Sequence, residues 1–435
     1  MDSLRPLIPL LATTGLLIAG NGLAGTLVPL RGAEEGMSTT VIGLVGTGYY
    51  LGFMVGCWAT PKLLQAAGHI RAFSAVAAIA ACASLAMVLL IDPWSWFLMR
   101  AITGLCFASL FANIESWINA SVSNASRARS LTVYRFVDLG AVTVSQYMLP
   151  VFGVDGFLVF AVMTMLIMLS VVPVSVADRS NPAPPAPFSF SPRRVIEISP
   201  LAVAGAITVG LSGASFRSVG PLYAAGLGMD VNTVATFMSA GIVGGIALQY
   251  PLGYYSDKVD RRVVLLISAV GGVLSSLFLV SIAGASIPLN LVGIFVFGAF
   301  VLPVYSLACA HANDRAEPGE YVQIAAGMLF FWAISASVGP LVASVLIDYF
   351  GPPAFFVFTL VMHAGYGLFT LWRMVMREPA DESQRRRWAA LLRTSPVFAR
   401  MAADPPEGTE APPATKRGIR AQGALQGEDK GRQTR

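Results

Sequence analysis

Twelve long apolar runs constrain this chain more than any other feature. They lie at residues 7–30, 39–60, 72–91, 95–118, 131–151, 157–176, 199–223, 232–254, 263–283, 287–310, 321–347 and 353–375. Each is close to the roughly 20 residues that a helix needs to cross a bilayer. Backbone groups in hydrocarbon must be satisfied within the segment itself, so each run is expected to be helical. The short alternating strands of a membrane β-barrel are missing from the pattern. Charged residues make up only 12% of the chain, against about a quarter in soluble domains. Mean hydropathy is +0.67. The first run is too long for a signal-peptide core and is read as a span. The expected class is an all-α membrane protein of twelve transmembrane helices in two six-helix pseudo-symmetric bundles.

Basic residues orient the runs. With the N-terminus inside, the inner connections hold Arg5, Lys62, Arg71, Arg127, Arg129, Arg179, Arg193, Arg194, Lys258, Arg261, Arg262 and Arg315, while the outer ones hold Arg31 alone. Twelve against one is a strong positive-inside bias. It predicts a multi-pass protein of a bacterial inner membrane with both termini cytoplasmic. The outer connections carry Glu34, Glu35, Asp92, Asp155, Asp230 and Asp348 instead. Residues 377–435 hold 12 Lys+Arg against 8 Asp+Glu, so +4 of the net +5 lies in that segment. The basic balance therefore describes a tail beside anionic headgroups, and no nucleic-acid partner is expected.

A Pro-rich stretch, Asn181-Pro-Ala-Pro-Pro-Ala-Pro, interrupts the spans. The expected organisation is an N-terminal bundle at 1–176, a cytoplasmic linker at 177–198, a C-terminal bundle at 199–376 and a disordered basic tail at 377–435, with a surface helix at 384–400. A shift of 192 residues places Pro29-Leu30 on Pro221-Leu222, Gly36-Met37 on Gly228-Met229 and Gly52 on Gly244. Duplication explains that agreement, and two homologous halves around a midplane site are a common transporter plan. Cys57, Cys82, Cys106 and Cys309 have no metal-ligand spacing and read as small buried hydrophobes. No metal site and no cofactor are expected.

The sharpest local signal is Gly253-Tyr-Tyr-Ser-Asp257-Lys-Val-Asp260-Arg261-Arg262, between spans 8 and 9. The glycine suits a tight helix exit, Asp257 can accept from helix N-termini, and the arginines can pair with acids on the next helices. His311 and Asp314, at the inner end of span 10, can join this gating loop. The run resembles the G-x-x-x-D-x-x-x-R-[RK] signature of the major facilitator superfamily, which recurs there between helices 2–3 and 8–9. In the first half, Gln65 stands opposite Asp257 and Pro61 opposite Gly253, so that copy departs from the pattern. Asn21-Gly22, Tyr50-Leu51-Gly52-Phe53, Gly68-His69-Ile70-Arg71, Glu115-Ser116-Trp117-Ile118-Asn119, Gln249-Tyr250-Pro251-Leu252-Gly253 and Ala310-His311-Ala312-Asn313-Asp314 resemble the YcaD-like branch of that superfamily. The resemblance covers about residues 10–375.

Charges inside the spans cost roughly 2.5–3.5 kcal/mol each near the bilayer centre, so they must face protein or water. Arg100 followed by Gly104 resembles the superfamily's helix-4 motif. Arg135, Asp138 and Gln146 share one face of span 5, and with Glu115 they form a candidate buried charge network in which a carboxylate takes up a coupling proton. The resemblance implies that helices 1, 4, 7 and 10 line a substrate cavity, where the polar candidates are Asn21, Arg100, Arg217 and Tyr305. Two arginines there favour an anionic or zwitterionic solute. His363 reads as a packed polar residue. Phosphate-loop, metalloprotease and nucleophile-elbow motifs are absent from the sequence, so no enzyme is expected. The expected function is secondary transport of a small solute by alternating access, coupled to protons or another ion. A transporter-shaped sensor or partner subunit is the alternative.

Overall fold

The computed structural model describes residues 7–121, 124–177, 191–317 and 320–377, without the side chains of 119–132, 135 and 322. The tail, its surface helix and the Pro-rich stretch lie outside the described residues. Sixteen helices and no strand occur among the described residues. The first half contains α1 (Ile8–Glu34), α2 (Thr39–Ala67), α3 (His69–Leu89), α4 (Pro93–Ser121), α5 (Asn124–Gln146), α6 (Met148–Phe152), α7 (Leu158–Leu169) and α8 (Val171–Ala177). A short helix, α9 (Pro192–Ile198), lies inside the stretch expected to be only linker. The second half contains α10 (Pro200–Gly226), α11 (Val231–Lys258), α12 (Arg261–Ser281), α13 (Ile287–Val301), α14 (Val304–Asn313), α15 (Tyr321–Phe350) and α16 (Ala354–Met376). By length and composition eleven helical stretches can cross a membrane, and Phe136–Phe152 is a shorter apolar one.

Three expected spans are broken helices. Spans 5, 6 and 10 divide into α5 with α6, α7 with α8, and α13 with α14. The last break falls at Leu302–Pro303, where proline has no N–H to give and its ring crowds the preceding turn. A correction concerns Gly253. It does not end its helix, because α11 runs through it to Lys258. Asp260, not Asp257, caps the following helix by accepting from the Arg262 amide at 3.0 Å.

Local structure repeats across the 192-residue shift. Gly36 and Gly228 both hold positive φ, 76° and 79°, in the turns after α1 and α10. Two residues on, Ser38 caps α2 and Asp230 caps α11. Packing repeats too. A Cβ on Gly52 would strike the Ala101 carbonyl, and one on Gly104 the Tyr49 carbonyl. In the second half Gly244 meets the Phe295 carbonyl and Gly298 the Gly241 carbonyl. Small residues let membrane helices approach backbone to backbone, here α2 on α4 and α11 on α13. The pairings α1·α5, α3·α4 and α3·α7 correspond to α10·α15, α12·α13 and α12·α16.

The cysteine reading holds for Cys106 and Cys309, which are buried. Cys82 is exposed and Cys57 half-buried, because small apolar residues suit the outer wall of a span as well as its core. His363 is buried with its Nε2 3.2 Å from the Ser212 hydroxyl.

The halves touch toward the face that carries Glu34, Asp155, Asp230 and Asp348, here called the acidic face. Asp348 at the end of α15 accepts from the backbone N–H groups of Thr39 and Thr40, at 3.1 and 2.7 Å, in the first turn of α2. One turn deeper Gly43 lies on Ser344 and Gly46 on Ser218. Thr47 donates to the Ser337 carbonyl at 2.7 Å. At mid-depth Tyr50 and Phe53 pack on Trp332 with centroids 5.8 and 6.1 Å apart. The opposite face carries Lys62, Arg71, Arg194, Lys258, Arg262 and Arg315 and is here called the basic face.

Candidate functional site

A cavity of about 240 Å³ lies between the halves, far above the roughly 10–15 Å³ that a single water needs. Its wall comes from α1, α2, α4, α5, α10, α11, α14 and α15. The four expected residues, Asn21, Arg100, Arg217 and Tyr305, all line it. They lie on three of the helices named for it and on α14, the inner part of span 10.

Arg100 is the most constrained of them. It is 8% exposed, and its guanidinium carbon sits 4.4 Å from the centre of the Tyr49 ring. Its Nε has no hydrogen-bond partner, and among the described residues it forms no ion pair. A desolvated cation without a counter-charge is costly. The ring face offsets part of that cost through its quadrupole. Tyr49 in turn donates from its hydroxyl to Asn21 Oδ1 at 3.2 Å, so the three side chains form one row across α4, α2 and α1. Arg217, from α10, is exposed along the same wall and does not snorkel away from it. Both arginines lie within electrostatic reach of Tyr50. Tyr305 is buried and shares a hydrogen bond with Cys309, one turn on.

The candidate charge network divides. Asp138 and Gln146 line the cavity. Gln146 is fixed there, accepting from Thr26 Oγ1 at 2.5 Å and donating to the Gly22 carbonyl at 3.2 Å. Glu115 is fully buried in α4 and does not line the cavity. The Arg135 side chain lies outside the described residues. Sequence reasoning missed Tyr49, Tyr50, Gln249 and Trp332, which also line the wall. Aromatic residues are ordinary in spans and gave no signal of their own. Gln249 lies on span 8, outside the four helices expected to line the cavity, although Tyr50 and Gln249 stand in segments that carry the family resemblance.

The Gly253–Arg262 signature forms a brace on the basic face. Arg261 and Asp314 pair at 2.5 Å with both side chains 2% exposed. Arg261 also reaches Asp257 at 3.1 Å and the Ser256 hydroxyl at 2.8 Å. This ties the end of α11 and the start of α12 to the end of α14. Arg262 pairs with Asp260 at 2.6 Å and donates to the Arg377 carbonyl at 2.6 Å, beyond the end of α16. Burial pushes the Asp260 carboxyl up, but the Arg262 hydrogen bonds outweigh it and hold the group below the usual carboxylate range. His311 is a correction: it lies against Arg315, whose Nη1 is 3.0 and 3.1 Å from the ring nitrogens. One helical turn separates the two residues, so they share a face, whereas Asp314 faces Arg261. Among the described residues no His, Cys, Asp or Glu cluster suits a metal.

The sequence profile described as Major Facilitator Superfamily matches residues 10–248 and 205–411. The uncharacterized MFS-type transporter YcaD of Escherichia coli O45:K1 (strain S88 / ExPEC) is 26% identical over 355 residues, covering 81% of this chain and 92% of its own. The solved nucleoside transporter NupG superposes with a TM-score of 0.69 at 12% identity, covering 86% of this chain and 99% of its own. A POT family transporter solved in complex with 5-aminolevulinic acid gives 0.69 at 12%, covering 86% and 96%. With the twelve-crossing helical plan and the cavity between its halves, the chain belongs to the major facilitator superfamily, in its YcaD-like branch.

Proposed function

We propose that this secondary transporter carries a small anionic or zwitterionic solute across a bacterial inner membrane by alternating access, driven by a proton gradient. The observation that supports the solute class is Arg100, a buried cation on the Tyr49 ring that forms no ion pair among the described residues, at the wall of a cavity that Arg217 also lines. A carboxylate or phosphate there would supply charge-assisted hydrogen bonds to both arginines. 5-Aminolevulinic acid, held by a POT family protein of the same fold, is a zwitterion of fitting size.

The basic bias supports cytoplasmic termini, and contacts closing the acidic face support an inward-facing state. The repeated turns, caps and glycine contacts support an origin by duplication of one six-helix bundle. Asp138 is the group we assign to proton uptake. It is 5% exposed and shares the cavity wall with the arginines, whereas Glu115 lies away from it.

The test is counterflow in proteoliposomes with a library of anionic and zwitterionic metabolites. A hit should disappear in Arg100→Ala. Asp138→Asn should keep counterflow but lose accumulation driven by a pH gradient. Counterflow confined to cations or neutral sugars would refute the solute class.

A further inference from the structure

A second pocket opens on the basic face, apart from the central cavity, and arginines dominate it. Arg262, Arg315, Arg373 and Arg377 line it with His311 and with Ser199, the cap of α10. Its enclosed part is about 10 Å³, room for one oxygen of a ligand whose remainder would lie at the open mouth among the arginines.

Among the described residues the nearby charges do not balance. Asp260 is engaged by Arg262, and Asp257 and Asp314 by Arg261. Arg315, Arg373 and Arg377 have no carboxylate within 4 Å among the described residues. Burial, then the charge of Arg262, push the Arg315 guanidinium below its ordinary value, outweighing the Asp260 and Asp314 carboxylates that pull it up. The Arg373 guanidinium lies 5.7 Å from the Trp372 ring centre. Trp372, Val375 and Met376 are exposed around it, as expected for a site at headgroup depth. Three guanidiniums crowd the start of a 27-residue helix, whose dipole adds positive potential.

We propose that this pocket binds a phosphate oxyanion, presented by an anionic phospholipid headgroup or by a free phosphate compound. Arginine forks match phosphate oxygens. One such anion would bridge the loop after α14, the end of α16 and the start of α10. Those elements are the basic-face ends of the second half, so the ligand would stiffen that half without touching the transported solute.

The experiment uses the full-length chain in phosphatidylcholine nanodiscs with and without phosphatidylglycerol, and in detergent with and without inorganic phosphate at matched ionic strength. Phosphatidylglycerol should raise the melting temperature by a few degrees, as any ligand of the folded state does, and native mass spectrometry should show a retained lipid. The gain should vanish in the double variant Arg315→Gln with Arg373→Gln and shrink in Arg377→Gln, whose exposed side chain is dispensable for folding. It should persist in Arg193→Gln with Lys258→Gln, which removes two charges from the same face. A matching gain with inorganic phosphate in detergent supports a free compound. A gain confined to nanodiscs supports a lipid. No gain in either arm overturns the proposal. So does a gain that both double variants lose equally, which is general surface charge. A gain seen only after deletion of residues 378–435 also overturns it, since the tail is then the occupant.

Discussion

Arg100 meets its ring in a way that separates two contributions to binding. A charge-assisted hydrogen bond is worth about 1.5–3 kcal/mol, so Arg100→Ala should weaken an anionic solute by roughly 10- to 100-fold in a direct binding assay. Tyr49→Phe keeps the ring under the guanidinium and removes the hydroxyl that donates to Asn21. Its effect should stay below about fivefold, since a neutral hydrogen bond contributes about 1 kcal/mol and this one reaches Asn21. Equal losses in the two variants would mean that Tyr49 holds the solute itself. The sequence exposed Arg100 and Arg217 because a charge inside an apolar run is conspicuous. It hid Tyr49 and Trp332 because aromatic side chains are as much at home against lipid as in a cavity. It hid the partner of His311 as well: the sequence reading joins His311 to the Asp257–Arg261 loop, whereas its ring lies on Arg315, one turn on.

At the scale of an element, the close approach of α2 to α4 and of α11 to α13 rests on glycines that meet carbonyls. Gly52→Val and Gly244→Val should each destabilise by about 1–3 kcal/mol through overpacking, read as a lower melting temperature in detergent. Gly365→Ala meets nothing within 4 Å and should be neutral or slightly stabilising. A tolerated Gly52→Val would show that the two helices separate at little cost. The Gly52–Gly244 match was legible at a constant shift. The Gly104–Gly298 match was not, because its shift is 194 rather than 192. Helix continuation through Gly253 was also illegible, since a glycine that ends a helix and one that lies inside it look alike in sequence.

At the scale of the whole molecule, Asp348 joins the halves by holding the N-terminus of α2. This clasp is exposed, so solvent limits its contribution to about 1 kcal/mol, or roughly fivefold in population. Asp348→Asn should therefore lower the fraction of molecules closed at the acidic face, measured as a longer spin-label distance across that face by pulsed electron resonance. An unchanged distance distribution would assign closure to the glycine and serine contacts beneath. The reading by loop charge had placed Asp348 in an outer connection, which described its depth but not its partner.

The seam below that clasp holds Gly43 on Ser344, Gly46 on Ser218, one hydroxyl from Thr47 to a carbonyl, and Tyr50 and Phe53 on Trp332 at mid-depth. Small side chains, neutral hydrogen bonds and ring contacts, with no ion pair among the described residues of the seam, make a shallow well. Two alternating states need to lie within a few kcal/mol of each other for a ligand to exchange them. A solute that prefers one state about 100-fold supplies about 2.7 kcal/mol, enough to turn a tenfold excess of one state into a tenfold excess of the other. A seam of buried ion pairs would have put that exchange beyond the reach of a small molecule.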